Sequence, residues 1–306
     1  MEDSTISYPR ISTKYPIQEG IVATEEGVNG KCHDYTGGVK AHNSRIIPNP
    51  RIVLILWGNY YSTHTDAVTS AQTLMSDLVT GSFMNGLAQY GVAPGSLVTI
   101  KIIDTNAQNP APKTINEEEL RDQLINWIKA GTVSPAPAVN EANLLYFIFP
   151  PTDTQLTLKD GTTGFCGYHQ HAKYNDASSN DDVCWAVVGT NGADQTTGKT
   201  LISAVSYCVS HELNEACSDR DGQGFIADNG CEIGDICEDP TTHPFFNYRG
   251  WTVEQYWSNW DNGCIQGNQP VSLRKFLGSI GFDFSKGLGS LNTTVINIPY
   301  IASRKR

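Results

Sequence analysis

Ile52-Val53-Leu54-Ile55-Leu56-Trp57, set off by Asn49-Pro50 before it and Gly58-Asn59 after it, is the stretch that decides the fold. Such a continuous β-branched and aliphatic run is what a strand buried on both faces requires. A strand of that kind needs helices above and below it, and the chain downstream supplies them. From Asp66 to Tyr90 a helical stretch sets Val68, Ala71, Leu74, Met75 and Leu78 along one side, with an interruption at Gly81. Leu97 to Ile103 alternates enough for a second strand. Thr114-Ile115-Asn116-Glu117 reads as a capping box, opening a helix that carries Leu120, Leu124, Trp127 and Ile128 and can close at Gly131. A Pro/Ala linker leads to a third strand, Leu144-Leu145-Tyr146-Phe147-Ile148-Phe149, stopped by Pro150-Pro151.

Strand–helix–strand–helix–strand implies parallel pairing with helices packed on the sheet. After that the rhythm changes. Residues 165–171 read as a turn-rich segment, 183–188 as another strand at the sheet edge, and a polar loop from Gly189 to Thr200 leads into a helix. The expected fold is α/β (α+β): a mixed, largely parallel twisted sheet flanked by helices, with a disulfide-rich C-terminal part. Residues 1–48 read as an N-terminal extension or pro-segment, 49–267 as the main α/β domain, and 268–306 as a small C-terminal appendage.

The helix reached last carries the chemistry. Leu201, Ile202, Val205 and Val209 recur at helical spacing, and then His211, Glu212 and Glu215 arrive within five residues. On a helix His211 and Glu215 lie one turn apart and point the same way, with Cys208 on the same stripe and Glu212 about 100° round the axis. An imidazole and a carboxylate aimed at one point make a metal half-site, and a second carboxylate beside them suits a general base. The bland alternative is that these side chains pair with one another. A catalytic zinc needs a third protein ligand. Asp235, in the acidic stretch from Cys231 to Asp239, stands first among the candidates; Asp219 is second, and His169 or His171 is the third source. Residues 219–226 also resemble the opening of a calcium loop, but position 12 is Gly230 where a bidentate glutamate belongs, so a turn is the simpler reading.

His211-Glu212-Leu213-Asn214-Glu215 resembles the His-Glu-x-x-His helix of zinc peptidases, with glutamate in place of the second histidine. That change admits calcium or magnesium beside zinc. The resemblance implies a zincin-like fold in which Glu212 activates water, and in which the edge strand before the helix lines the substrate cleft. Tyr256 or His169 is the candidate oxyanion donor.

A wider set of segments lies in order along about 70% of the chain: 52–58, 165–169, 210–213, 232–237 and 256–259. Together they resemble the bacterial and fungal relatives of the plant EXORDIUM (phosphate-induced) family. That resemblance implies a secreted protein of the extracellular or cell-wall space. It also implies how the cysteines divide: Cys166 with Cys184, Cys237 with Cys264, and Cys217 with Cys231, leaving Cys208 toward the metal or the core. Cys32, followed by His33 and Asp34, reads as structural or free, with metal masking as the alternative.

Composition narrows the partners. At 306 residues, 39% hydrophobic and 17% charged, the chain has the make-up of a folded protein. A net charge of −11 repels nucleic acid and anionic membranes, and the basic tail Ser303-Arg304-Lys305-Arg306 is too short to reverse that. No apolar run approaches a membrane span. The first ten residues lack the pattern of a signal peptide, yet eight cysteines argue for disulfides and an oxidising destination. Export by another route, or a leader already removed, reconciles the two.

Two functions follow. The first is a metal-dependent hydrolase, a secreted peptidase acting on a peptide or protein substrate. The alternative is a non-enzymatic extracellular binding protein, or an inactive peptidase-like descendant. In it the ionisable cluster holds a structural ion, and Tyr248, Trp251, Tyr256, Trp257 and Trp260 bind a wall polysaccharide or cap a small core.

Overall fold

The computed structural model describes residue 32 and residues 35–42, 45–106, 109–175, 182–191 and 200–268. Apart from Asn268, the C-terminal appendage lies outside the described residues, as do His33, Asp34 and most of the N-terminal extension. A five-stranded sheet forms the centre. Its strands are β1 (Arg51–Trp57), β2 (Ser96–Ile103), β3 (Leu144–Phe149), β4 (Gly167–Lys173) and β5 (Asp182–Val188), arranged β2-β1-β3-β5-β4. The first three neighbouring pairs are parallel, and β4 closes the edge antiparallel to β5.

The apolar runs behave as a doubly covered sheet demands. Ile52, Leu54 and Leu56 of β1, with Leu145, Phe147 and Phe149 of β3, face one core; Val53, Ile55 and Trp57, with Leu144, Tyr146 and Ile148, face the other. The first core lies under α1 (Thr65–Thr80) and a buried helix, Ser206–Ser218; the second lies under α2 (Glu117–Lys129). Gly81 ends α1 and 3-10 turns follow over Ser82–Tyr90.

Three details differ from the sequence reading. The capping box belongs to Asn116, whose side chain accepts from the amides of Glu118 and Glu119 while Glu119 accepts from the Asn116 amide. Thr114–Ile115 pairs in parallel with Gln155–Leu156, so the helix starts two residues later than the Thr114 box implies. The edge strand beside the buried helix is β4, not residues 183–188. Those residues form β5, which is interior because β4 folds back outside it, and the segment read as turn-rich is this edge strand.

The cysteines also pair differently. The disulfides are Cys32–Cys231, Cys166–Cys208 and Cys237–Cys264, with Cys184 and Cys217 buried as thiols. Only the Cys237–Cys264 pairing implied by the family resemblance is present. Cys208 turns toward β4 rather than toward the ionisable cluster, and the Arg220 guanidinium, whose Nε donates to Cys184 Sγ at 3.0 Å, occupies the place of a Cys184 partner. Cys32 is structural, and Val39–Ala41 pairs with Phe225–Ala227, so the N-terminal segment is tied to the C-terminal half of the chain. Three disulfides point to an oxidising environment. Among the described residues no helix is long and apolar enough to cross a membrane.

Of the five clustered aromatics, Tyr248, Tyr256 and Trp257 are buried in the first core, and Trp251 donates its indole N–H to Asp77. Those three cap a core, while Trp251 and Trp260 stay half-buried.

Candidate metal centre

All thirteen residues of the Ser206–Ser218 helix, α3, are buried. It lies between the β4–β5 edge of the sheet and the C-terminal loops, so both its apolar and its ionisable faces point into protein. His169 comes to it from β4. There Tyr168 turns into the second core, and the strand's alternation sends His169 to the opposite face. Gly167 allows the close approach: a Cβ there would lie 2.9 Å from Cγ of Glu212 and 2.9 Å from Sγ of Cys208.

The third wall is the loop that holds Glu232 and Asp235, clamped by Cys32–Cys231 on one side and Cys237–Cys264 on the other. The Asp235 amide donates to Glu215 Oε1 at 3.1 Å, and the Glu232 amide to Asp235 Oδ2 at 3.2 Å. Gly234 sits between them with an ordinary φ of −74°. It is required for space alone: a Cβ would meet Glu215 Oε1 at 2.7 Å and the His211 ring at 2.8 Å.

Two imidazoles and six carboxylates (Glu212, Glu215, Asp219, Glu232, Asp235 and Glu254) are thereby enclosed, none more than 3% exposed. His211 donates from Nδ1 to Glu254 Oε2 at 2.6 Å, which turns Nε2 toward Glu215 Oε1 at 3.0 Å and Asp235 Oδ1 at 3.7 Å. His169 donates from Nε2 to the Asp219 carbonyl at 3.1 Å, with Glu232 Oε1 3.3 Å from the same nitrogen, and its Nδ1 faces Glu212 Oε2 at 3.5 Å and Glu215 Oε2 at 3.8 Å. The Glu254 carboxylate behind the His211 ring fixes its tautomer and directs Nε2, the arrangement metal-binding histidines use. Ligand atoms around a tetrahedral ion at about 2.0–2.1 Å lie roughly 3.3 Å from one another, the range of these contacts.

Among the described residues two groups of three are spaced as candidate ion ligands: His211, Glu215 and Asp235, and His169, Glu215 and Glu232. In each, one ligand atom per residue lies within 4.8 Å of the others. His169 is the one ring that reaches both Glu212 and Glu232, at 3.5 and 3.3 Å, while Oε2 of Glu215 has no hydrogen bond. Burial raises the Glu212 pKa to about 7 even with His169 and His211 pulling it down. Burial and then the Glu215 charge push Glu232 and Asp235 well above the carboxylate range. Burial works against protonation of both imidazoles, but Glu232 and Glu212 at His169, and Glu215 and Glu254 at His211, outweigh it and raise both. Raised values at carboxyls and imidazoles alike mean that this cluster holds extra protons, which a bound divalent cation would displace.

The residues read from sequence thus gather at one place: His211, Glu212, Glu215, Asp235 and His169. Of the other candidates, Asp219 lies at the edge of the cluster beside Glu232, and His171 and Tyr256 lie outside it. Asp219 Oδ1 accepts from the Gly224 amide at 2.7 Å as part of a turn. In the same loop Asp221 faces the Arg45 guanidinium at 2.5 Å, so a cation is already supplied there by the chain. His171 lies near Arg45 and Arg220; burial, then the Arg45 charge, lowers its pKa to about 4. Tyr256 donates to the Phe83 carbonyl at 2.9 Å and is spent in the core, so it is no oxyanion donor. Sequence reasoning misses Glu232 and Glu254. Glu232 lies inside the acidic stretch that carries Asp235. Glu254 has one signal, an isolated acid in an otherwise apolar and aromatic segment. The chain matches no protein-family model, no curated protein and no solved structure.

Proposed function

We propose that this chain binds a divalent metal ion through His211, Glu215 and Asp235 and uses it to hydrolyse a peptide or related carbonyl substrate. The observation that carries the reading is the Glu254–His211 pair, which holds Nε2 against two carboxylates on a helix with a third, Glu212, one position along. An ion held there supplies a Lewis acid and an acidified water. Zinc fits the imidazole and short carboxylate spacing, while the oxygen-rich surroundings also suit calcium. Glu212, next to His211 on the helix, is placed to take a proton from water as its oxygen attacks the carbonyl, and to return it to the departing nitrogen. The antiparallel edge strand beside the metal helix supports the zincin-like reading, in which such a strand lines the cleft. The order of its motifs supports kinship with EXORDIUM relatives and a place in the cell-wall space, and the disulfides agree with secretion.

One observation favours a second reading. The cluster is enclosed, with His211, Glu212, Glu215 and Asp235 all at 0% exposure, as a structural ion in a binding protein would be. Ion analysis combined with Glu212→Gln separates the two. On the hydrolase reading, the variant retains bound metal and loses about 10²–10⁴-fold in turnover on a peptide library. If the parent, carrying its metal, cleaves nothing in such a library, or the variant cleaves at the parent rate, the hydrolytic reading fails and the structural-ion reading stands.

A further inference from the structure

We infer that the centre is built for two divalent ions, with Glu215 as a bridging ligand between them. The inference rests on the reading that the His211 group holds a metal, and extends it to a second position. Glu215 is the one residue common to both ligand groups, and its two oxygens point in different directions. Oε1 lies 3.0 Å from His211 Nε2, and Oε2 lies 3.8 Å from His169 Nδ1. A carboxylate with one imidazole at each oxygen is the geometry that spans two ions about 3.5–4 Å apart. Were the centre mononuclear, Glu215 Oε2 would be a buried oxygen at 0% exposure with no hydrogen bond, facing a histidine for no evident return.

The outer ligands complete the pair. Asp235 closes the first position beside His211; Glu232 belongs to the second group, with Oε1 3.3 Å from His169 Nε2 and the three ligand atoms of that group within 4.8 Å of one another. Glu232 is only 1% exposed, and its side-chain partners are His169 and Asp219. Both ligands come from the disulfide-clamped loop three residues apart, so one rigid segment serves both positions.

The test is metal stoichiometry on the intact, disulfide-bonded protein, stripped and reloaded with zinc alone, with manganese(II) loaded in parallel for electron paramagnetic resonance. Two zinc ions per chain are expected, falling to one in Glu232→Gln and, separately, to one in Asp235→Asn. The manganese form should show an exchange-coupled pair, whose hyperfine spacing is half that of an isolated ion, and Glu215→Gln should abolish the coupling. One zinc per chain with Glu232→Gln unchanged would overturn the second position and leave the first intact. No zinc or manganese bound at all would overturn both. Because the unaltered protein gives the first answer, misfolding of a variant cannot rescue the proposal.

Discussion

At the scale of single residues, Glu254 decides what His211 can do. The 2.6 Å hydrogen bond to Nδ1 holds the ring, and Glu254 is itself placed by its amide, which donates to Ser210 Oγ at 2.9 Å. Removing the negative charge while keeping the shape should therefore weaken the metal without unfolding the protein. Glu254→Gln is expected to lower zinc affinity about 10–100-fold, the usual cost of losing a carboxylate behind a metal-bound histidine. A competitive chelator titration measures it; an affinity equal to the parent's would show that Glu254 does not orient the ring. His211, Glu212 and Glu215 were legible because a helix converts spacing in sequence directly into direction in space. Glu254 was not, since it reaches the ring across 43 residues through a hairpin whose position depends on the whole core.

At the scale of elements, the same contrast separates β1 and β3 from β4. The first two are covered on both faces, so their sequences are continuous apolar runs and their bounds can be read directly. In β4 Tyr168 is buried in an apolar core with Ala172 packed partly against it, while His169 and His171 take the other face, and polar residues in that pattern resemble a loop. The link between β4 and α3 was hidden too, since cysteine spacing does not encode pairing. Cys166–Cys208 joins the residue before β4 to α3 one turn ahead of Glu212. Replacing both cysteines with alanine should cost about 2–5 kcal/mol in denaturant unfolding. It should also reduce zinc affinity, because His169 and Glu212 then lose a shared anchor. Normal affinity with lowered stability would confine the bridge to the fold. In either form, Cys184 and Cys217 should react with a thiol reagent only after denaturation.

At the scale of the whole molecule, Asp182 joins parts of the chain that no single element connects. It accepts from Arg45 of the N-terminal segment at 2.5 Å and pairs with Lys173 at the end of β4 at 2.9 Å; Arg220, just past α3, stands 3.6 Å away. Burial works to raise the Asp182 pKa, but the Lys173 hydrogen bond and the Arg220 and Arg45 charges together outweigh it and hold the carboxyl below its ordinary value. A carboxylate whose pKa is lower folded than unfolded stabilises the fold at pH values above its unfolded pKa of about 3.9, and that contribution disappears as pH falls through the lower, folded value. Asp182→Asn should accordingly lose stability at neutral pH by about 1–3 kcal/mol, between the ranges for exposed and buried pairs because Arg45 and Lys173 stay partly solvated. The deficit relative to the parent should shrink as the medium is acidified below about pH 4, since the parent then loses the same charge. Thermal unfolding of both proteins across that range measures the difference. A gap that stays constant with pH would mean that Asp182 acts through packing alone, and that the N-terminal segment is held by Cys32–Cys231 and the Val39–Ala41 strand without help from charge.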